Sequence, residues 1–466
     1  MLTRDVVVVL PGIMGSTLRR DNTMVWARSA GTVLRAIWRF NEHLDRLSLP
    51  EGIGDEHPSD GVEPVGLMRD LHVLPGLWTP ARGYDTLLDF LTRQGLRPVS
   101  DDPEAPAGNL LEVPYDWRLS NRFNGARLAG RVEPVLERWR AKGGEYADAK
   151  LVFVCHSMGG LVARWYLEHC GGAGHTRKLI MLGTPHRGAA KALDQLANGI
   201  MPRLGPLSPA LTGFARTLPS LHQLLPTYAC VDRDGDLHTI EHQHIAELST
   251  AGVADAFAFH RQLEQAEAAR GQQARDMTHI LLGTAQTTTT TVTITNRTVT
   301  PLSSYQGRNL AGDATVPTVG ATPNGIPLDS NLLRRIADKH GHLHRNRAAL
   351  DELAGILGAP NLRAKAPGKP VDPDVQAPEI LLAGDPLTID VYLPDQARHG
   401  LHITVTDENG TPRATRRPRP QRGHAHVTIT DLPPGGYTIH LTGTPPATPI
   451  TPVTSDLLIY QPATAP

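Results

Sequence analysis

The segment Leu151-Val-Phe-Val-Cys-His-Ser-Met-Gly-Gly160, running straight into Leu161-Val-Ala-Arg-Trp-Tyr-Leu167, constrains the fold of this 466-residue chain more than any other. Its first half is a continuous apolar run, the pattern of a strand buried on both faces of a parallel sheet. The run breaks at a turn with Ser157 at the apex, and an amphipathic helix begins at once. Strand, sharp turn and helix in this order form the setting of a nucleophile elbow, with Gly159 and Gly160 small enough to let turn and helix approach closely. The start of the helix directs backbone N–H groups at the serine, so the Met158 amide is a natural donor to an oxyanion.

Further apolar runs occur at Val6-Val-Val-Val-Leu10, Leu110-Leu-Glu-Val113, Leu179-Ile-Met-Leu182 and His279-Ile-Leu-Leu282. Helical patterns over 84–94 and 126–140 alternate with them. Strand, helix, strand in succession predicts an α/β fold, a doubly wound parallel sheet with right-handed crossovers, over residues 1–357. Two stretches, 20–80 and 190–265, exceed ordinary connections and read as caps or lids. The threonine run 287–291 leads into a short hairpin or edge excursion across Asn296-Arg297.

Around Gly358 the composition turns proline-rich, and residues 358–376 read as a linker. Beyond it, Leu387–Tyr392, Leu401–Val405, His426–Ile429 and Tyr437–Leu441 alternate apolar and polar residues between turn signals. This predicts a small all-β sandwich, immunoglobulin-like, over 377–466. Such a module is expected to bind a protein or carbohydrate partner, and the hydrolytic core is expected to work without it.

Basic and acidic residues number 46 and 47, so no overall field favours nucleic acid, and none is expected as a partner. The run Val6–Leu10 is too short for a signal peptide, and no apolar stretch is long enough to span a bilayer. Three cysteines, Cys155, Cys170 and Cys230, give no disulfide framework. A cytoplasmic location is the expectation.

A serine hydroxyl is a weak nucleophile until a histidine accepts its proton and a carboxylate orients that imidazole. Gly312-Asp-Ala-Thr-Val-Pro317 supplies Asp313, and Asp338-Lys-His-Gly-His-Leu-His344 supplies histidines. The order Ser157, Asp313, His340 is that of α/β-hydrolases. Asp116 is the alternative acid, disfavoured because it precedes the nucleophile. Read with His238, His242 and His244, the histidines at 340, 342 and 344 have no ordered four-ligand spacing, so no metal is expected.

At these residues the chain resembles the lecithin:cholesterol acyltransferase family, with its bacterial and lysosomal phospholipase-like relatives. The resemblance is carried by Leu10-Pro-Gly-Ile-Met-Gly-Ser-Thr17, Pro114-Tyr-Asp-Trp-Arg118, His156-Ser-Met-Gly-Gly160, Gly183-Thr-Pro-His-Arg-Gly188 and Gly312-Asp-Ala-Thr-Val-Pro317. The family commonly has glycine where this chain has Cys155 and Ala314. The resemblance implies Ser157 as nucleophile, Asp313 as acid and His340 as base, with His342 as the alternative base. It further implies an oxyanion hole from Ile13 and Met158, and Trp117 as apolar surface at the acyl site.

The expected activity is that of a serine esterase or lipase. It would cleave or transfer a fatty acyl group from a lipid ester, a phospholipid among the candidates, without any cofactor. A peptidase or amidase would share the triad, and a non-catalytic binding protein would share the scaffold. Val33, Ile37, Phe40, Leu44 and Leu47 form an apolar stripe with basic residues among them. This 33–47 helix is either a cap packed on the core or a peripheral membrane contact.

Overall fold

The computed structural model describes residues 3–26, 44, 46–69, 83–100, 102, 104–200, 207–245, 247–295, 298–358, 371–394, 400–444 and 450–461. The four valines of β1 (Val6–Leu10) are fully buried, and they feed two separate cores. Val6, Val8 and Leu10 enter one cluster and Val7 and Val9 the other, because successive side chains leave a strand on opposite faces. A strand in the middle of such a sheet has no polar face, hence the unbroken apolar run.

β1 lies between β2 (Leu110–Glu112) and β3 (Leu151–His156). β4 (Thr176–Leu182), β5 (Thr278–Thr284) and β6 (Leu333–Ala337) follow outward in the order β6-β5-β4-β3-β1-β2, every pair parallel. One face packs on α2 (Asn121–Arg140) and α3 (Gly159–His169), and the other on α1 (Asp85–Arg93) and α5 (Arg347–Leu357). This is the α/β-hydrolase-like parallel sheet that the alternating pattern predicts. α2 begins five residues before the expected 126, capped by the Ser120 hydroxyl, which accepts from the Phe123 amide. Gly125 lies within the helix because a side chain there would collide with Trp165 of α3.

The 20–80 stretch contributes to a three-stranded sheet of Ser16–Arg20, Thr23–Trp26 and Val62–Leu67. Leu44 and Leu47 are buried in the main core, while residues 33–43 of the expected amphipathic helix lie outside the described residues. The 190–265 stretch contains the helices Ala190–Asn198 and Leu207–Arg216 and most of α4 (Thr250–Arg270). Its short strands Val231–Arg233 and Asp236–His238 form one sheet with the threonine hairpin, Thr291–Thr295 against Thr298–Leu302.

The C-terminal part has one sheet of β7 (Asp374–Gln376), β9 (Leu387–Tyr392) and β12 (His424–Ile429). The other contains β8 (Ile380–Leu382), β10 (Gly400–Asp407), β11 (Pro412–Arg416), β13 (Gly435–Thr444) and β14 (Val453–Tyr460), in the order β8-β14-β13-β10-β11. Their inward-facing residues share one apolar core. β7 lies inside the stretch read as linker, since Asp374–Gln376 pairs with β9, so the 358–376 boundary is corrected. Val371 already bridges to Ile450, whereas 359–370 lies outside the described residues. Proline-rich composition hid a short edge strand with little alternation of its own. Among the described residues no helix is long and apolar enough to cross a membrane.

The start of α3 rests on the end of β1, where a β-carbon at Gly159 would fall inside contact distance of the Pro11 carbonyl oxygen and 2.9 Å from that of Leu10. Backbone cannot retreat as a flexible side chain can. Gly159→Ala is expected to lower stability by about 1–3 kcal/mol, measured by urea denaturation.

Candidate active site

Ser157 follows directly on β3 and adopts φ +53°, a left-handed conformation that costs a non-glycine residue of order 1–2 kcal/mol. Three hydrogen bonds hold it there. Its N–H donates to the Leu182 carbonyl at 2.9 Å, and its own carbonyl accepts from the Thr184 hydroxyl at 2.9 Å and the Gly160 amide at 3.1 Å. The conformation turns the hydroxyl toward His340, whose Nε2 is 2.8 Å from Ser157 Oγ.

On its other side His340 Nδ1 lies 2.7 Å from Asp313 Oδ2, and the His340 amide donates to the Asp313 carbonyl at 2.8 Å. The second carboxylate oxygen accepts the amides of Thr315 at 3.0 Å and Val316 at 2.6 Å. The carboxylate fixes the proton on Nδ1 and leaves Nε2 free to accept from the serine. All three side chains are at most 2% exposed. Gly183, with φ +63°, makes room for the pair, since a β-carbon there would press on Leu343, His340 and Asp313.

The three neighbouring histidines separate by partner. His342 Nε2 lies 3.1 Å from Asp456 Oδ2, and His344 Nε2 donates to the Gly83 carbonyl at 3.1 Å. Among the described residues, no group of three metal-ligating side chains is arranged to hold an ion. Asp116 is engaged by Arg118, fully buried, which also binds Asp60 at 2.7 Å and the Leu47 carbonyl. The Tyr-Asp-Trp-Arg stretch therefore secures the insertion to the core. Trp117 is fully buried, edge-on to Trp26 and Phe214, with its N–H on the Ser16 carbonyl.

The two departures from the family pattern differ in kind. Cys155 sits inside β3 between Leu10 and Met181, fully buried, and burial pushes its thiol well above the usual range. That position asks only for a small residue. Ala314, in contrast, has φ +70°, a conformation that favours glycine.

Sequence reasoning missed a further chain of hydrogen bonds. The Gly12 amide donates to Tyr84 Oη at 2.7 Å, and Tyr84 Oη is 2.9 Å from His156 Nδ1. His156 Nε2 is 3.0 Å from the His340 carbonyl. A carbonyl only accepts, so Nε2 carries the proton, Nδ1 is the acceptor and the tyrosine hydroxyl donates to it. This line ties the 11–15 turn, the elbow and the His340 loop together. His156 stands beside the serine in sequence, but nothing marks Tyr84 as its partner. With the Gly12 amide engaged, the Ile13 and Met158 amides donate to no other group among the described residues.

The parallel sheet and the serine elbow define a protein of the α/β-hydrolase class. Residues 87–293 match the family model Lecithin:cholesterol acyltransferase. Among solved structures, the mature form of the Bacillus licheniformis lipase BlEst2 is 13% identical, covering 76% of this chain and 92% of its own, with a TM-score of 0.35. The propeptide form is 12% identical over 97% of this chain and 93% of its own, with a TM-score of 0.34. A Saccharomyces cerevisiae protein described as uncharacterized is 34% identical over 80 residues, which are 17% of this chain and 11% of that protein. The chain thus spans about a tenth of the curated relative it matches.

Tyr84→Phe removes the one group that serves both the Gly12 amide and His156. Both are left unpaired in a buried site, so stability is expected to fall by about 1–3 kcal/mol, together with the rate of covalent labelling at Ser157. A denaturation curve and a labelling time course check this.

Burial holds His156 well below the ordinary histidine value of 6.5, with His344 and His340 pushing the same way, and it brings His260 down to about 4. Both take up a proton in the unfolded chain before they do so in the folded one. Their contribution is therefore complete above the unfolded value and is lost as pH falls below it. Stability is expected to decline from about pH 6.5 toward pH 4, by at most about 1.4 kcal/mol per pH unit for each histidine. Urea midpoints across that range measure the slope, and His260→Gln should reduce it.

Proposed function

We propose that this protein is a serine hydrolase or acyltransferase that handles a carboxylic ester through an acyl-enzyme, the acyl group coming from a lipid. The observation that carries this reading is the continuous hydrogen-bonded line from Ser157 through His340 to Asp313 on a left-handed elbow. His340 Nε2 takes the proton of Ser157 as Oγ attacks the ester carbonyl carbon. The oxyanion that forms is held by the Ile13 and Met158 amides, and the imidazolium by Asp313. His340 then protonates the leaving alcohol, the carbon–oxygen bond breaks, and the acyl group stays on Ser157. Water or a second alcohol, deprotonated by His340, completes the turnover.

The family match supports a lipid acyl donor. Water and a lipid alcohol are chemically equivalent acceptors for this triad. Hydrolysis and transfer therefore differ only in which of them reaches the acyl-enzyme.

The test is incubation of wild type and Ser157→Ala with phospholipid vesicles containing a fatty alcohol, with fatty acids and esters quantified by mass spectrometry. Fatty acid released only by wild type is the expected result, and wax ester beside it would add transfer. Asp313→Asn, which leaves His340 free to adopt the wrong tautomer, is expected to slow turnover by on the order of 10⁴-fold. Well-folded wild type that forms no serine-dependent product would overturn the lipid reading.

A further inference from the structure

The geometry points to the C-terminal β domain as a positioning part of the catalytic centre, holding both the loop of His340 and the loop of Asp313. This rests on the triad reading above and extends it to residues 373–375 and 454–456 of the C-terminal domain.

Three consecutive residues of β14 meet the His340 loop. The Thr454 backbone lies against the Asp338 carboxylate and favours its charged form, Ser455 Oγ accepts from Lys339 Nζ at 2.9 Å, and Asp456 Oδ2 lies 3.1 Å from His342 Nε2. The contacted residues stand two before, one before and two after the catalytic imidazole. β14 can receive them because β8 pairs only with Leu458–Tyr460 and, among the described residues, leaves the edge at 453–457 uncovered by a strand. Asp338 accepts from Asn346 Nδ2 at 2.8 Å, so the two ends of the loop close on the carboxylate that faces the strand.

The Asp313 loop is gripped through Gln286. The backbone of Gln286 exchanges two 3.0 Å hydrogen bonds with Gly312, the residue before Asp313. Its side chain, 1% exposed, donates to the Pro373 carbonyl at 2.9 Å and accepts from the Val375 amide at 3.2 Å. Next to it, Thr287 gives its amide at 2.9 Å and its hydroxyl at 2.6 Å to Asp374. β7 therefore fixes the acid's loop while β14 fixes the base's. A serine–histidine–carboxylate line tolerates little error, because a displacement of about 1 Å can cost on the order of a hundredfold in rate. On this proposal the hydrolytic core depends on the C-terminal domain, contrary to the expectation drawn from the sequence.

The experiment uses the full chain with Asp456→Ala, Gln286→Ala and both together, a soluble short-chain nitrophenyl ester, and a fluorophosphonate probe of Ser157. Each single variant is expected to lower kcat and the labelling rate about tenfold or more while KM changes less than about twofold. Asp456→Asn, which retains an oxygen acceptor for His342, should recover most of the loss. Hydrogen exchange at amides 338–342 reads the brace directly and should accelerate in Asp456→Ala. Ser455→Ala, which removes one contact, replaces that variant where it does not fold. Folded variants that label at the wild-type rate with unchanged exchange overturn the proposal. Wild type that never labels at Ser157 counts against the hydrolase reading instead, and exchange then decides the brace alone.

Discussion

The imidazole of His340 has to meet two partners at once, a hydroxyl at 2.8 Å and a carboxylate at 2.7 Å, and these partners come from different strand ends. A hydrogen bond weakens steeply with distance and angle, so the sheet must deliver three chain segments to one point. The parallel strands do so because each ends on the same edge. β3 ends just before Ser157, the segment after β5 leads through the hairpin to Asp313, and β6 ends just before the loop of His340. Burial of both sheet faces makes those strand ends rigid, and the left-handed turn at Ser157 is maintained against its own strain by three hydrogen bonds.

The central sheet was legible because burial on two faces leaves an unambiguous mark. Val6–Leu10 and Leu151–Val154 have no polar residue that could face water. The elbow was legible because strand, serine and two glycines fall within ten residues. Asp313 and His340 were legible by order and local pattern, although choosing His340 over His342 relied on resemblance. Geometry separates the two: one imidazole turns to the serine and the other to Asp456.

What could not be read shares one property: the partners are distant in sequence and ordinary in type. A tyrosine at 84 contacts a histidine at 156, and a glutamine at 286 contacts the backbone at 373 and 375. No spacing rule connects such pairs, since they exist only after the chain has folded. β7 escaped for a related reason, because its three residues are specified by the neighbouring strand rather than by their own alternation. The first turn of α2 escaped too: the apolar pattern was read only from 126, and Gly125 before it is a contact point for Trp165.

The place of Asp456 late in the chain bears on how the protein matures. Everything needed to form the six-stranded sheet, including all three triad residues, precedes residue 358, whereas the strand against the His340 loop begins at Val453. During synthesis the sheet can collapse around Ser157 well before β14 leaves the ribosome. Nascent chains would then hold an assembled core with an unbraced base loop, and the arrival of one late strand would complete the site. A single proteolytic cut between the two parts, without touching the sheet, would be expected to undo that step.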